Sequence, residues 1–302
     1  RGFAPRIECK LCAWTPKCKH CDVTLTYHKY QNELICHYCN RAYATPTECP
    51  VCHEKSLEFI GQGTEQVEEE VLRLFPGTNV ARMDTDTTQG KNAYERIITN
   101  FQNKKIQILV GTQMVSKGLD FDNVSVVGII AADSLLNYPD FRSHERGFQL
   151  MMQASGRAGR RNKRGTVIIQ TTQPELPIYQ FIAENNYEGF FNMQLAERKI
   201  FKYPPFYRLI SIELKDKNEQ RADAASHYFT NILRGSLQDK ILGPNKPVIS
   251  RIRSYYIREI LLKLENNLST SFVRKCIRQT EQRMREKPEF RYVVLNYDVD
   301  PV

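Results

Sequence analysis

The sequence lacks any apolar run that approaches the roughly 18 residues needed to cross a membrane. Tryptophan occurs once in 302 residues, and hydrophobic residues make up 41%, which is enough for two or three compact domains. The opening segment, Arg1 to Pro5, runs directly into polar, cysteine-bearing sequence and shows no apolar signal segment. We therefore expect a protein of the cytoplasm that has no membrane partner.

Cysteine is almost absent beyond residue 52, where Cys276 is the ninth and last of the chain and is predicted to be a core residue. The other eight form four Cys-x-x-Cys pairs: Cys9/Cys12, Cys18/Cys21, Cys36/Cys39 and Cys49/Cys52. Two intervening residues make a turn that directs both thiolates at one tetrahedral metal ion. Because four pairs complete two four-sulfur sites, the sequence predicts two structural zinc ions.

Two other fates of these thiols remain as alternatives. Disulfides are disfavoured in a reducing cytoplasm, and an iron–sulfur cluster fits the regular paired spacing less well than zinc ribbons do. Four histidines lie among the cysteines and are predicted to be solvated, because the cysteines already fill both sites. They are His20, His28, His37 and His53.

The local pattern favours a nested pairing of the cysteines. The alternation of residues 23–27 predicts a strand and Leu34-Ile35 its return, so this hairpin would bring Cys18/Cys21 to Cys36/Cys39. The outer pairs would then share the other zinc ion. Sequential pairing stays open, because only five residues separate Cys12 from Cys18.

The formal net charge is +9, with 43 Lys and Arg against 34 Asp and Glu. Such an excess favours an acidic partner, of which nucleic acid is the commonest. A basic protein without such a partner is the alternative, and composition does not separate the two.

Residues 59–195 alternate between helical and strand patterns, which predicts a parallel sheet covered by helices on both faces. Thr64 is predicted to cap the first helix, and the apolar run 124–131 to be a strand buried on both faces. The other predicted elements are strands at 80–83, 106–110 and 166–171, and helices around 94–101 and 143–155.

Two segments of this region carry chemistry. Residues 111–120 follow a strand, and ligands bind at the carboxyl ends of strands in such sheets. In residues 153–160, spacings of four and three would bring Gln153, Arg157 and Arg160 to one side of a helical turn, although the glycines there are expected to end the helix. Two guanidinium groups can together hold a phosphate through charge-assisted hydrogen bonds.

These segments resemble motifs V and VI of superfamily 2 helicases. Together with residues 140–146, they resemble the PriA family of bacterial helicases, which restart stalled replication forks. Residues 82–88, 203–206 and 298–301 fit the same family, and the resemblance covers nearly the whole chain. The eight cysteines and the ending at residues 298–301 favour this family over other families of superfamily 2 helicases. Members carry, in the second motor lobe, an inserted cysteine-rich element with eight ligands in nested order.

The resemblance implies a role for each motif residue. Arg157 and Arg160 would reach the γ-phosphate of ATP held by the other motor lobe, with Gln153 assisting. Thr112 would contact the DNA backbone, whereas Gly118 and Asp120 would approach the nucleotide. Asp84 and Asp86 are interpreted as part of a strand-end loop without a metal ion.

A motor of this class also needs a phosphate-binding loop ending in Gly-Lys-Ser/Thr and an acidic magnesium motif. Neither is present, since residues 90–92 read Gly-Lys-Asn. The family's first motor lobe and N-terminal DNA-binding domains would therefore be absent from this chain. We expect an ATP-dependent helicase whose ATP and Mg²⁺ are bound in the full enzyme, and no catalysis by this piece alone.

Residues 196–302 predict a small α+β domain of order βαββαβ, with strands at 207–214, 248–252, 256–264 and 292–297. Between residues 248 and 292 there are 11 Lys and Arg against 5 Asp and Glu. Five side chains, Arg251, Arg253, Arg258, Tyr255 and Tyr256, would place cations beside stacking surfaces, as single-strand binding favours. Packing of both tyrosines along a strand, with the charges solvated, is the alternative.

The expected fold is a RecA-like lobe with a parallel sheet, an inserted two-zinc cysteine-rich module and the small α+β domain. The expected boundaries are residues 1–58 for the module, 59–195 for the lobe and 196–302 for a DNA-binding or docking domain. By resemblance, the partners are forked or single-stranded DNA, single-strand-binding protein, and primosome and helicase-loading proteins. A non-catalytic zinc-ribbon adaptor that binds DNA is the alternative function, and it would have no need of the paired arginines.

Overall fold

The computed structural model describes residues 6–29, 31–61, 63–84, 87–88, 90, 92–116, 121, 124–159 and 165–301. Contacts within the chain divide it into two compact units. The first contains Arg1–Pro16, Leu25–Ile35 and Ala42–Asn192, and the second contains Lys17–Thr24, Cys36–Arg41 and Met193–Val302. The cysteine-rich segment thus contributes residues to both units.

In the first unit, the cysteine-rich segment forms two small antiparallel sheets. One pairs β1 (Arg6–Cys9) with β5 (Leu57–Ile60), and the other has the order β2 (Thr26–His28), β3 (Glu33–Ile35), β4 (Ala42–Ala44). The predicted hairpin is therefore present, with Thr26 opposite Ile35. The rings of Tyr27 and Phe59 lie 4.5 Å apart, in contact between the two sheets.

The rest of the first unit alternates helices and strands, as the sequence predicts. Its elements are α1 (Thr64–Leu74), β6 (Val80–Met83), α2 (Ala93–Gln102), β7 (Ile108–Gly111), α3 (Gln113–Ser116), β8 (Val126–Ile129), α4 (Asp133–Leu136), α5 (Ser143–Ser155), β9 (Thr166–Ile169), α6 (Pro177–Ala183) and α7 (Tyr187–Ile200), which continues into the second unit. Strands β6 and β7 are parallel, and so are β8 and β9. The apolar residues of α2 pack with Met83 and Phe121, which is the amphipathic face that their spacing predicts.

Two expectations for this unit are wrong. Thr64 is the first residue of α1 and does not cap it, because its hydroxyl donates instead to Asp84 Oδ2 at 2.6 Å. Strand β8 is not buried on both faces, since Val126 and the adjacent Ile130 are 58% and 49% exposed. The apolar run therefore belongs to a strand whose alternate residues, such as Val127, are the better covered ones.

A buried ion-pair cluster fixes α1 against β6. Arg82 lies 3.0 Å from a carboxylate oxygen of Glu65 and 3.3 Å from one of Asp84, and all three side chains are buried. Although burial disfavours its charged form, hydrogen bonds from Thr64 and Thr87 keep the pKa of Asp84 below its usual value. The cluster therefore holds the carboxyl end of β6 in place beside the helix.

The second unit contains an antiparallel sheet covered by two helices. After β10 (Tyr207–Asp216) come α8 (Glu219–Leu237), β11 (Ile241–Asn245), β12 (Arg251–Ile252), β13 (Tyr255–Glu265), α9 (Thr270–Arg285) and β14 (Val294–Val299). The strand order is β11-β13-β10-β14, with β12 paired to β13 as a short hairpin. Apolar residues of α8, α9 and alternate sheet positions form one core that includes Cys276, as predicted. Ser269 caps α9 by accepting a hydrogen bond from the Phe272 amide.

The expected order βαββαβ omits one strand of this sheet. Strand β11 reads Ile-Leu-Gly-Pro-Asn, and its Gly-Pro pair is typical of a turn, so the sequence pattern hides it. The strand predicted at 248–252 is limited to Arg251 and Ile252. Among the described residues, no helix is both long and apolar enough to span a bilayer.

Gly243 explains how β11 can pair with β13 although the β11 sequence is not typical of a strand. Its φ is +98°, a conformation that residues with a side chain rarely adopt, and a Cβ there would lie 2.8 Å from the carbonyl oxygen of Glu259. Gly235 on α8 is a natural contrast, because a Cβ there would meet no atom within 4 Å.

We predict opposite effects for the same substitution at these two glycines. Gly243→Ala should lower the free energy of unfolding by more than about 1 kcal/mol, because the left-handed backbone and the Glu259 carbonyl both oppose a Cβ. Gly235→Ala should raise it by about 0.4–1 kcal/mol, since alanine favours a helix. Urea unfolding followed by circular dichroism measures both, and equal changes would contradict the explanation.

Candidate zinc and nucleotide sites

The eight paired cysteines converge in two clusters of four. One contains Cys9, Cys12, Cys49 and Cys52, and the other contains Cys18, Cys21, Cys36 and Cys39, with the Sγ atoms of each cluster within 4.8 Å of one another. This is the nested grouping rather than the sequential one. The first cluster lies in the first unit and the second cluster in the second.

The distances between the sulfur atoms fit a tetrahedral metal site. Sγ–Sγ separations are 3.6 Å for Cys9/Cys52, 3.5 Å for Cys12/Cys49 and 3.6 Å for Cys18/Cys39. Bonds of about 2.3 Å to a tetrahedral zinc ion would place two sulfurs roughly 3.8 Å apart, whereas a disulfide needs about 2.05 Å. All nine cysteines are free thiols. The two clusters therefore fit zinc, and each supplies four sulfur ligands with no open position.

The environment of the thiols also fits a cation. Burial raises the pKa of the Cys36 thiol to about 12 and also raises the pKa of Cys21, so neither would ionise alone near neutral pH. In the first cluster, a hydrogen bond from the Ser56 hydroxyl lowers the pKa of Cys9 to about 6. In the second cluster, a divalent cation would stabilise the thiolates of Cys36 and Cys21, which burial by itself disfavours.

The expectation that all four histidines are solvated is wrong for two of them. His28 is only 7% exposed, because β2 directs it into the module. His20 lies between two partners, with Nδ1 2.9 Å from Ser254 Oγ and Nε2 2.7 Å from an Arg41 guanidinium nitrogen. His37 and His53 are exposed, as expected.

The two helicase-like segments meet at one cleft in the first unit. Its volume is about 580 Å³, and its lining includes Gln113 from α3, Gln153 from α5, Tyr138 and Arg146. Gly111 is the last residue of β7 and pairs with Met83 on β6. A Cβ there would lie 2.6 Å from the Met83 carbonyl oxygen, so a glycine allows this close approach just before α3. Helix α3 contacts α5, so the start of the 111–120 segment lies close to α5.

The structure describes some of the residues assigned to nucleotide and DNA, and others lie outside the described residues. Arg157 lies in the turn after α5, which ends at Ser155, so the glycines end the helix as expected. The next turn is held by a hydrogen bond from the Gly159 amide to the Val124 carbonyl. Thr112 is exposed between β7 and α3. Gly118, Asp120 and Arg160 lie outside the described residues.

Asp133, which follows strand β8, has a role that the sequence did not indicate. Its carboxylate accepts hydrogen bonds from the hydroxyl of Thr171 at 2.5 Å, the amide of Thr172 at 2.8 Å and the hydroxyl of Tyr179 at 3.3 Å. These donors, Thr171 first, lower the pKa of Asp133 to about 2. The aspartate fastens the ends of β8 and β9 together and so supports α4, which lines the cleft. An acidic residue just after an apolar run was the available signal.

The candidate DNA residues occupy the β12–β13 hairpin. The Arg251 guanidinium lies 5.7 Å from the Tyr256 ring centroid, and the Lys217 ammonium lies 5.7 Å from that of Tyr255. Tyr255 and Tyr256 are adjacent on a strand and so point to opposite faces of the sheet. Arg253 is exposed at the turn.

Arg258 is wrong as a member of this surface. It is 2% exposed and forms ion pairs with Asp223 and Glu219 of α8, which raise its pKa. These ion pairs connect β13 to α8, so the Arg258 guanidinium is not available to a phosphate.

We predict that purified, unchelated protein contains two zinc ions per chain. Cys36→Ser should release one of them, because it breaks only the cluster shared with Cys18, Cys21 and Cys39. Cys276→Ser is the matched control and should retain both, since this thiol is a core residue. Elemental analysis gives the counts. Iron in place of zinc, or loss of both ions from Cys36→Ser, would contradict two independent zinc sites.

Comparison with known families agrees with this arrangement. Residues 52–162 match the helicase conserved C-terminal domain, residues 18–42 the Cys-rich region domain of PriA DNA helicase, and residues 199–302 the primosomal protein N C-terminal domain. The three matches cover the lobe, the second cysteine cluster and the α+β sheet.

Similar proteins are known in several bacteria under the name replication restart protein PriA. The protein of Bacillus subtilis is 38% identical over 100% of this chain and 37% of its own length. The Synechocystis protein is 39% identical over 100% of this chain and 36% of its own length. The Haemophilus influenzae protein is 36% identical over 100% of this chain and 41% of its own length. The chain therefore spans well under half the length of these relatives. With a helicase C-terminal domain between two domains typical of PriA, and similarity along its whole length, the chain belongs to the PriA family.

Proposed function

We propose that this chain forms the second motor lobe and C-terminal domain of an ATP-dependent DNA helicase. The helicase would unwind DNA from 3′ to 5′ at stalled replication forks and initiate primosome assembly. The observation that carries the proposal is the cleft in which Gln113 and Gln153 meet, one from each helicase-like segment, on a lobe built from parallel strands. In superfamily 2 motors, such a lobe closes on nucleotide held by its partner lobe.

Within this proposal, Arg157 and Arg160 contact the γ-phosphate and Gln153 assists them. Guanidinium groups suit this role because they offer several fixed donors to phosphate oxygens and remain charged at every physiological pH. Gly118 and Asp120 approach the nucleotide, and Thr112 contacts the DNA backbone. The other lobe supplies the phosphate loop and the Mg²⁺ ligands, so ATP and Mg²⁺ bind only in the full enzyme.

The wider setting follows from the family. Substrates would be forked or single-stranded DNA in the cytoplasm, and partners would be primosome proteins, helicase-loading proteins and single-strand-binding protein. We retain domain boundaries near residues 58 and 195 for the cysteine-rich module, the motor lobe and the C-terminal domain. A zinc-ribbon adaptor that only binds DNA is not favoured, because it would need neither the cleft nor the paired arginines.

We predict that this chain alone hydrolyses no ATP and that, joined to the phosphate-loop lobe of a PriA relative, it supports DNA-stimulated hydrolysis. In the joined protein, Arg160→Ala should lower turnover by roughly 10³–10⁵-fold, as is typical when an arginine finger is lost. DNA affinity should change little, because Arg160 contacts the nucleotide and not the DNA.

Arg73→Ala is the control for this experiment. Arg73 lies on α1 with its side chain 76% exposed and should leave turnover unchanged. The Arg157→Ala effect need not add to that of Arg160→Ala, since both residues act on one phosphate. Wild-type turnover in both arginine variants would refute the assignment.

The C-terminal domain is the proposed second DNA contact. Arg251, Arg253, Tyr255 and Tyr256 all lie on the β12–β13 hairpin, and a cation lies near each tyrosine ring. Backbone groups of this hairpin are hydrogen-bonded to residues 20 and 22, so the hairpin must be tested in the whole chain. Binding through phosphate contacts would not depend on DNA sequence and would weaken with salt.

We predict weak binding of the whole chain to labelled oligonucleotides, measured by fluorescence anisotropy at low salt. The log–log salt slope should be about −0.7 per neutralised phosphate on single strands and about −0.9 on duplex. Arg251→Glu with Arg253→Glu should remove most of the affinity. Arg274→Glu with Arg278→Glu, on the exposed side of α9, carries the same charge change and should remove less. Equal losses, or no binding at all, would show that the hairpin is not a DNA contact.

A further inference from the structure

Three of the four Cys-x-x-Cys turns are closed by their own backbone. The amide of the residue after the second cysteine donates to the carbonyl of the first: Ala13 to Cys9 at 2.9 Å, Asn40 to Cys36 at 2.8 Å and His53 to Cys49 at 2.9 Å. These three residues have φ values of +56°, +58° and +60°. The shared conformation aims both thiols of each pair at one point.

The Cys18/Cys21 turn is closed by the C-terminal domain instead. Asp22 follows Cys21, and its amide donates to the carbonyl of Arg251 at 2.8 Å. The Ser254 amide donates to the His20 carbonyl at 2.8 Å, and the Arg253 amide donates to Cys21 Sγ at 3.3 Å. All of these residues belong to the second unit.

Side chains strengthen the same contact. Ser250 Oγ lies 3.0 Å from a carboxylate oxygen of Asp22, and Ser254 Oγ lies 2.9 Å from His20 Nδ1. These two contacts join the turn between Cys18 and Asp22 to residues that lie 228 and 234 positions further along the chain. Cys21 itself is fully buried, so the hairpin also helps to exclude water from this sulfur.

The hairpin turn has a conformation that its own sequence disfavours. Arg253 and Ser254 form a two-residue turn with φ values of +50° and +67°. Both central residues of such a turn take left-handed φ, which glycine and asparagine adopt far more readily than arginine or serine. Contacts made outside the hairpin must therefore stabilise it. Two backbone–backbone bonds to His20 and Asp22, and the bond from the Arg253 amide to Cys21 Sγ, are suited to do so.

We propose that the β12–β13 hairpin is the outer shell of the second zinc site, so that one of the two zinc ions is retained through the C-terminal domain. An N–H donor to a thiolate stabilises its charge, and groups that orient metal ligands typically change metal affinity by about 10–100-fold. Among the described residues, the turns of the first site are closed locally, and its extra donor, Ser56, lies in the same module, so we expect no such dependence there. The proposal concerns zinc retention and is independent of helicase activity.

The effect is reciprocal. A metal ion that the hairpin helps to hold must stabilise the hairpin by the same free energy. Loss of the second zinc ion should therefore loosen β12 and β13, whereas loss of the first should not.

The test uses the whole chain with two zinc ions bound and compares two substitutions of one residue. Arg253→Pro removes the amide donor to Cys21 and is incompatible with φ of +50°. Arg253→Gly also removes the guanidinium but keeps the amide and suits the turn. Zinc transfer to a chromogenic chelator is followed over time. In Arg253→Pro one ion per chain should leave about 10–100-fold faster than in wild type, and the other at the wild-type rate. In Arg253→Gly both should leave at wild-type rates.

Amide hydrogen exchange keeps the proposal testable if Arg253→Pro does not fold. Cys18→Ser, which breaks the second site, should speed exchange at the Arg253 and Ser254 amides, whereas Cys49→Ser, which breaks the first, should leave it unchanged. Faster release of both ions to the same extent in Arg253→Pro would overturn the proposal. So would equal hairpin protection in the two cysteine variants. A wild-type chain with fewer than two zinc ions would instead overturn the zinc assignment.

Discussion

The convergence of eight thiols on two points is the constraint on which the rest of the cysteine-rich segment depends. A segment this short has little apolar surface to bury, and metal bonds supply folding energy that its core cannot. Nesting requires the chain to return on itself twice, first through the β2–β3 hairpin and then through the pairing of β1 with β5. The second return places Cys9 and Cys52 3.6 Å apart, although 43 positions separate them.

In the motor lobe, the corresponding constraint is close approach of backbone at the ends of parallel strands. Gly111 lets β7 pass beside the Met83 carbonyl, and the buried Arg82 cluster holds β6 in place. Asp133 joins the ends of β8 and β9 in the same way on the other parallel pair. These backbone and side-chain contacts involve polar groups, and each lies at or next to the end of a strand. They keep the helices that line the cleft in a set position, as the proposed nucleotide site would require.

The sequence was most informative where a pattern depends on local chemistry. Helix α5 was predicted at its observed bounds, and the nested cysteines followed from one hairpin. It failed where a distant partner decides the outcome. Strand β11 contains Gly-Pro and is a strand only because β13 pairs with it. Arg258 has the charge of a surface residue, yet two carboxylates of α8 allow it to be buried. The sequence shows the charge and the spacing of residues, but neither one identifies the distant residues that will pair with them in the fold.

The β12–β13 hairpin shows why one part of a site can be invisible to sequence reasoning while another part is not. Its side chains suggested DNA, because arginines and tyrosines are recognisable by type. Its contacts to the Cys18–Cys21 turn are made largely by amides and carbonyls, which every residue has. The two proposed roles do not compete, since Arg253 uses its amide for the cysteine and leaves its guanidinium exposed. A backbone that supports a metal site can therefore present side chains to a second partner, and only the folded chain reveals the first role.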